Sequence, residues 1–201
     1  MQIDTNALFK IEYGLYVVTS KGEELDNGLI LNSIMQVTAN PLQIAVTINK
    51  ANYSHDIIKD KGIMNICALT EQTPFSVFEN FGMKSGRDSY KFIGVKAARS
   101  ANGLLYLTEY ANSYLSLSVT QYTDLGTHGM FICTVTDAQI LNDVPTMTYS
   151  FYHKNVKPKK EVKVKGYVCK ICGYVYEGEP LPDDFICPLG KHPASDFEKI
   201  V

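Results

Sequence analysis

The 201-residue sequence predicts a mainly β fold, a barrel of short strands followed by a small C-terminal metal knuckle. Three observations predict it. Apolar or alternating runs of strand length are separated by turn residues, only two short stretches read as helix, and three cysteines gather beyond residue 166.

The elements follow in order. Gly14 to Ser20 (GLYVVTS), Gly28 to Thr38 (GLILNSIMQVT) and Leu42 to Asn49 (LQIAVTIN) are predicted strands. KGEELDN and Asn40-Pro41 lie between them as turn compositions, which suggests a meander. Asn52 to Lys61 is a predicted helix with Asn52 or Ser54 as cap and Gly62 just beyond it. Thr73-Pro74 to Phe81 is a second, with a cap, a first-turn proline and terminal Gly82. Tyr114 to Tyr122 alternates Leu115, Leu117 and Val119 against Ser116, Ser118 and Thr120, a period of two. Met130 to Thr136 reads as a further buried strand. Cys67 and Cys133 lie in apolar strands and read as buried, inert thiols. No glycine fingerprint joins a strand to a helix, which argues against a Rossmann dinucleotide fold.

Composition narrows the function classes. Hydrophobic residues make up 45% and charged residues 20%, an ordinary globular balance. A net charge of -2 supplies no basic field for nucleic acid. No apolar run approaches the roughly 18 residues of a spanning helix, and MQIDTNALFK does not resemble a secretory leader, so a cytoplasmic protein is expected. Charge also divides the chain. Residues 1–153 hold 14 acids and 10 bases, and residues 154–165 (KNVKPKKEVKVK) hold six lysines and one glutamate. Residues 166–201 hold six acids and three bases. The domains expected are 1–153 and 166–201, with 154–165 as an exposed Lys-rich linker.

Cys169, Cys172 and Cys187 have the spacing of a metal site. Two thiolates separated by two residues point at one ion because the turn between them reverses the chain. Gly173 is free to take the positive φ that brings backbone amides to the sulfurs, where they tune the metal. The second arm, Cys187-Pro188-Leu189, leads to position 190 for a fourth ligand, and position 190 is Gly. Spacing alone equally describes a structural zinc ribbon.

In CKICGYVYEG, PDDFICP and KHPASDFEKI, residues 166–201 resemble a rubredoxin, a mononuclear iron domain with four cysteine ligands. Tyr167, Tyr174, Tyr176, Phe185 and Phe197 supply the aromatic frame. Gly190 departs from that pattern at a ligand. Three alternatives stand: three thiolates with water or an outside ligand, His192 completing a three-cysteine, one-histidine site that also suits zinc, or a weak or empty site.

Residues 1–155 resemble the flavin reductase-like family in NGLILNSIMQVTANP, NKANYS, SGRDSYKF, GTHGMF and PTMTYSFY. The resemblance implies a split β-barrel that binds FMN at a homodimer interface. A phosphate site is expected from Lys50 and Ser54 at a helix start, with Arg87 or Lys91 as a second cation. Asn32, Ser33, Gln36 and Thr38 are expected beside the pyrimidine edge of the flavin. Asn32 and Gln36, amides in an apolar run, need hydrogen-bond partners. His128 matches the histidine of the family's Gly-Asp-His motif, near flavin and nicotinamide, and is the catalytic candidate; Thr127 replaces the Asp.

The combination resembles the family of high-molecular-weight rubredoxins of anaerobes. It implies an oxidoreductase passing electrons from NAD(P)H through FMN and a rubredoxin-type iron centre to a flavodiiron nitric oxide or oxygen reductase. Two other readings compete: an FMN-binding docking protein with a structural zinc knuckle, and a flavin or ferric reductase with no relay.

Overall fold

The computed structural model describes residues 3–158 and 166–200. The chain forms two units, Met1–Pro158 and Lys159–Val201.

In the first unit the alternating runs become strands β1 (Tyr16–Lys21), β2 (Asp26–Leu31), β3 (Ile34–Ala39), β4 (Leu42–Asn49) and β5 (Ile63–Leu69). Short strands β6 (Ala97–Arg99) and β7 (Leu105–Leu107) pair with each other. The long β8 (Ala111–Asp124) and β9 (His128–Ile140) form a hairpin. Among the described residues the main sheet runs β2-β1-β5-β8-β9-β4-β3. The expected meander is therefore corrected: hairpins are local, but β4 pairs with β9 and β5 lies between β1 and β8.

A second correction explains how the barrel forms. The run Gly28 to Thr38 is not one strand, because it breaks at Asn32-Ser33 and sends β2 and β3 to opposite edges of the sheet. Two residues of chain reach only ~7 Å, so the edges they join must curl towards each other. Ser33 fixes the turn: its carbonyl accepts the Thr47 N–H at 3.0 Å and its hydroxyl donates to the Thr47 carbonyl at 2.7 Å.

Both faces of the curled sheet are covered, and strand alternation assigns side chains to two cores. Val18, Ile66 and Leu115 pack in the inner cluster, and their neighbours Val17, Cys67 and Tyr114 join the outer one. Ser116, on the face of β8 that alternation makes polar, is buried for the same reason. Cys133 lies in the inner cluster, so both thiols are buried as expected.

Helix α1 (Tyr53–Lys61) begins after Asn52, whose side chain makes no cap bond. It ends at Gly62, which takes φ 70° and donates its N–H to the Ile58 carbonyl. Ile58 enters the inner cluster, where full burial of such a side chain contributes roughly 1.5–3 kcal/mol. The second helix is shorter than predicted. α2 (Phe75–Phe78) follows Pro74 and widens into a π-helical turn, Glu79–Met83, so Gly82 lies inside the turn and not beyond it. Phe78 and Phe81 anchor it to the outer cluster.

Of the expected linker, Lys154–Val156 complete a π-helical turn that starts at Tyr152, and residues 159–165 lie outside the described residues. The second unit is a three-stranded sheet of β10 (Gly166–Cys169), β11 (Val175–Tyr176) and β12 (Phe197–Ile200), in the order β11-β10-β12. Its core is Cys169, Cys187 and Phe197, framed by Tyr167, Tyr174, Tyr176, Leu181 and Phe185. Phe185 packs edge-on against Phe197 with centroids 5.4 Å apart.

Candidate functional site

The barrel presents its candidate residues in three places. The first is a polar cavity of about 250 Å³ at the start of α1, lined by Asn27, Asn52, Ser54, Ser85, Gly86 and Lys91 among others. Ser54 is 2% exposed and accepts a hydrogen bond from Asn27 Nδ2 at 2.8 Å. Lys91 is 5% exposed; its ammonium donates to the Gly28 carbonyl at 2.8 Å and the Phe81 carbonyl at 3.2 Å, and burial brings its pKa down to about 8. The exposed Arg87 guanidinium lies 5.0 Å from the centroid of Tyr53, another lining residue. Asn27 Oδ1 is buried and has no donor among the described residues. A buried acceptor, the lining cations Lys84 and Lys91, a hydroxyl and a helix start fit a phosphate-bearing, hydroxyl-rich ligand such as FMN.

Lys50, expected in the phosphate site, is not among the residues that line this cavity. Asp124 takes it instead, Nζ to Oδ1 at 2.5 Å, at the end of the β8–β9 hairpin. There it adjoins His128: the Lys50 N–H donates to the Thr127 carbonyl, Asn49 pairs with His128 across the strands, and His128 Nδ1 lies 2.9 Å from Thr127 Oγ1.

The third place is the β3 edge. Ser33 lines a cavity of about 380 Å³ with Ile34, Met35, Ala45, Thr47 and Met130. Asn32, beside it, is partly buried. Gln36 and Thr38 are exposed, so Gln36 is not the buried amide that the apolar run predicts; its Nε2 donates to the Thr38 carbonyl, and Thr38 donates to the Pro41 carbonyl. An edge strand offers only one covered flank, which is why these polar groups stay wet.

Sequence reasoning singled out neither Asn27 nor Asp124 as a working residue. Asn27 stands only as the first residue of a matching stretch, and Asp124 falls between the stretches that the sequence singles out.

The second unit brings its three cysteines together. The Sγ atoms of Cys169, Cys172 and Cys187 all lie within 4.8 Å of one another, Cys172 and Cys187 at 3.4 Å. Cys169 and Cys187 are buried and Cys172 is exposed. Gly173 takes φ 74°, as the knuckle requires, and the Gly190 N–H approaches Cys187 Sγ at 3.5 Å. Three converging thiols on rigid turns suit one thiophilic ion, and Gly190 offers no fourth side chain.

The family described as Flavin reductase like domain matches residues 8–160, and that described as Rubrerythrin, rubredoxin-like domain matches residues 167–198. The High molecular weight rubredoxin of Moorella thermoacetica (strain ATCC 39073 / JCM 9320) is 36% identical over 98% of this chain and 100% of its own length. The Ferric-chelate reductase (NAD(P)H) of Archaeoglobus fulgidus is 35% identical over 78% of this chain and 93% of its own. Among solved structures, the NADH:FAD oxidoreductase SgcE6 of Streptomyces globisporus C-1027 superposes with a TM-score of 0.67 at 17% identity. That match covers 75% of this chain and 93% of the other, a likeness of fold.

Proposed function

The chain belongs to the flavin reductase-like family and continues into a rubredoxin-like domain, and from that premise we propose that it passes electrons from NAD(P)H through FMN and a cysteine-held iron ion to an external acceptor. One observation carries the reading: three thiols converge within 4.8 Å in the unit that follows a flavin reductase-like barrel. The likeness to high-molecular-weight rubredoxins favours a flavodiiron nitric oxide or oxygen reductase as that acceptor.

FMN supplies the conversion between a hydride pair and single electrons. The chain's own residues bind and orient. Lys91 and Arg87 offset the phosphate charge, while the Ser54 hydroxyl and the first N–H groups of α1 hold its oxygens. Asn27 Oδ1 accepts from a ligand hydroxyl. Asn32, Ser33, Gln36 and Thr38 line the flavin edge, and His128 orients the nicotinamide on a hairpin end that Lys50 and Asp124 brace. Met35 and Val37, 64% and 41% exposed on β3, support a second copy of the chain against that edge. Cys169, Cys172 and Cys187 hold the iron as thiolates.

Gly190 favours a second reading, an FMN reductase whose knuckle is structural or binds zinc. A visible spectrum with FMN and metal quantitation, followed by anaerobic NADH, separates the two. The relay requires flavin and thiolate-to-iron absorption that both bleach; bleaching of flavin alone, with zinc or no metal in the knuckle, overturns it.

A further inference from the structure

We infer that His192 is the fourth ligand of the metal held by Cys169, Cys172 and Cys187, its Nε2 replacing the sulfur that position 190 lacks. The inference rests on the reading that these cysteines hold one ion.

The two arms of the knuckle are built alike. Gly173 donates its N–H to the Cys169 carbonyl and Lys191 donates to the Cys187 carbonyl, each at 2.9 Å, with φ of 74° and 57°. Position 190 in the second arm therefore corresponds to Cys172 in the first. Lys191 holds the left-handed turn even though a side chain disfavours that conformation. The second arm has the shape of a ligand turn with no side-chain ligand at its tip.

The space of that ligand is filled. A Cβ added to Gly190 would lie 2.2 Å from His192 Nε2 and 2.3 Å from Cδ2, so the imidazole stands where the side chain of residue 190 would project. His192 is tied to the same arm, its carbonyl accepting the Cys187 N–H at 2.8 Å. Its other ring nitrogen, Nδ1, lies 4.0 Å from Asp196 Oδ2. Asp196 is itself fastened to the first arm, its carbonyl accepting the Lys170 N–H at 2.9 Å. The 4.0 Å separation at Nδ1 is too long for a hydrogen bond, and a carboxylate that closes on Nδ1 as the ring turns is the partner a ligating histidine uses. Nε2 is not within the cluster that the three sulfurs form, and ligation takes a rotation about the His192 side-chain torsions. Exchanging a thiolate for a neutral imidazole removes one negative charge from the centre, which favours the reduced ion.

The full chain, loaded with cobalt(II) as a spectroscopic probe, tests this by X-ray absorption and visible ligand-field spectra. The expected result is one ion per chain with three sulfur neighbours and one imidazole. His192→Ala is expected to lower cobalt affinity about tenfold or more and to open the ion to added azide or imidazole, neither of which shifts the unaltered spectrum. Gly190→Cys is expected to displace the ring and give a four-sulfur spectrum. Three sulfurs with an exchangeable oxygen in the unaltered protein, or an azide response equal to that of His192→Ala, overturns the inference and leaves the metal site standing. A chain that binds no cobalt overturns both.

Discussion

Lys50 Nζ and Asp124 Oδ1 meet at 2.5 Å across 74 residues of sequence, and the pair closes the end of the β8–β9 hairpin beside His128. The Lys50 ammonium and the Gly126 N–H hold the Asp124 carboxyl below its ordinary range. The pair is exposed to solvent, which screens it, so its contribution to stability is small. Its consequence is spatial, since a lysine committed to Asp124 leaves the cavity to Lys84 and Lys91, which line it, with Arg87 stacked on the lining residue Tyr53. Lys50→Ala is expected to leave FMN affinity within about threefold, while Lys91→Met weakens it about tenfold, a loss near 1.4 kcal/mol that flavin-fluorescence titration measures. Equal losses in both variants would restore Lys50 to the phosphate site.

Ser54 and Asn27 make a similar long-range joint, with the amide of Asn27 donating to the buried hydroxyl. Asn27 Oδ1 already lacks a donor, so Ser54→Ala leaves both ends of a buried amide unpaired. The expected loss is about 1–3 kcal/mol in urea unfolding. Added FMN should restore part of it, because the ligand binds only the folded chain.

Cys67 and Cys133 have burial-raised pKa values of about 12, against an ordinary value of 9.0. In the unfolded chain they ionise near 9, so their contribution is present below that pH and is lost as pH climbs towards 12. The slope is about 1.4 kcal/mol per pH unit for each thiol. Lys91, whose pKa is lowered to about 8, acts in the opposite sense between pH 8 and its ordinary 10.5. Unfolding free energy is therefore expected to fall above pH 9, more steeply in Lys91→Met, and iodoacetamide should spare both thiols in the native protein. Modification of either thiol before unfolding would contradict their burial.

The parts legible in the sequence are those set by near neighbours. The strands announce themselves by alternation, Gly62 by its place after a helix, and the first knuckle arm by Cys169, Cys172 and Gly173. What was not legible depends on closure. Nothing local in the apolar run from Gly28 to Thr38 marks Asn32-Ser33 as the joint between opposite sheet edges; that break exists because β1 and β4 each claim one half. The Lys50–Asp124 pair and the Asn27–Ser54 joint were hidden for the same reason. Ser54 read as a helix cap because the sequence cannot display a partner 27 residues away.

Metal removal should affect the two units unequally. Among the described residues, the apolar cluster of the second unit has only Cys169, Cys187 and Phe197 as buried side chains, with five partly covered ones around them. Two of these three side chains are thus thiols that a metal would tie together, and a core this small does not offset the entropy of ordering the chain. The barrel has two apolar clusters of its own, and neither contains a knuckle cysteine. Chelation of the full chain is expected to abolish the protection of β10 and β12 amides in hydrogen exchange. β5, β8 and β9 should stay protected and FMN affinity unchanged. Cys169→Ser should give the same pattern without chelator. Persistent protection of β10 after the metal is gone would mean that the aromatic frame of Tyr176, Phe185 and Phe197 holds the unit by itself.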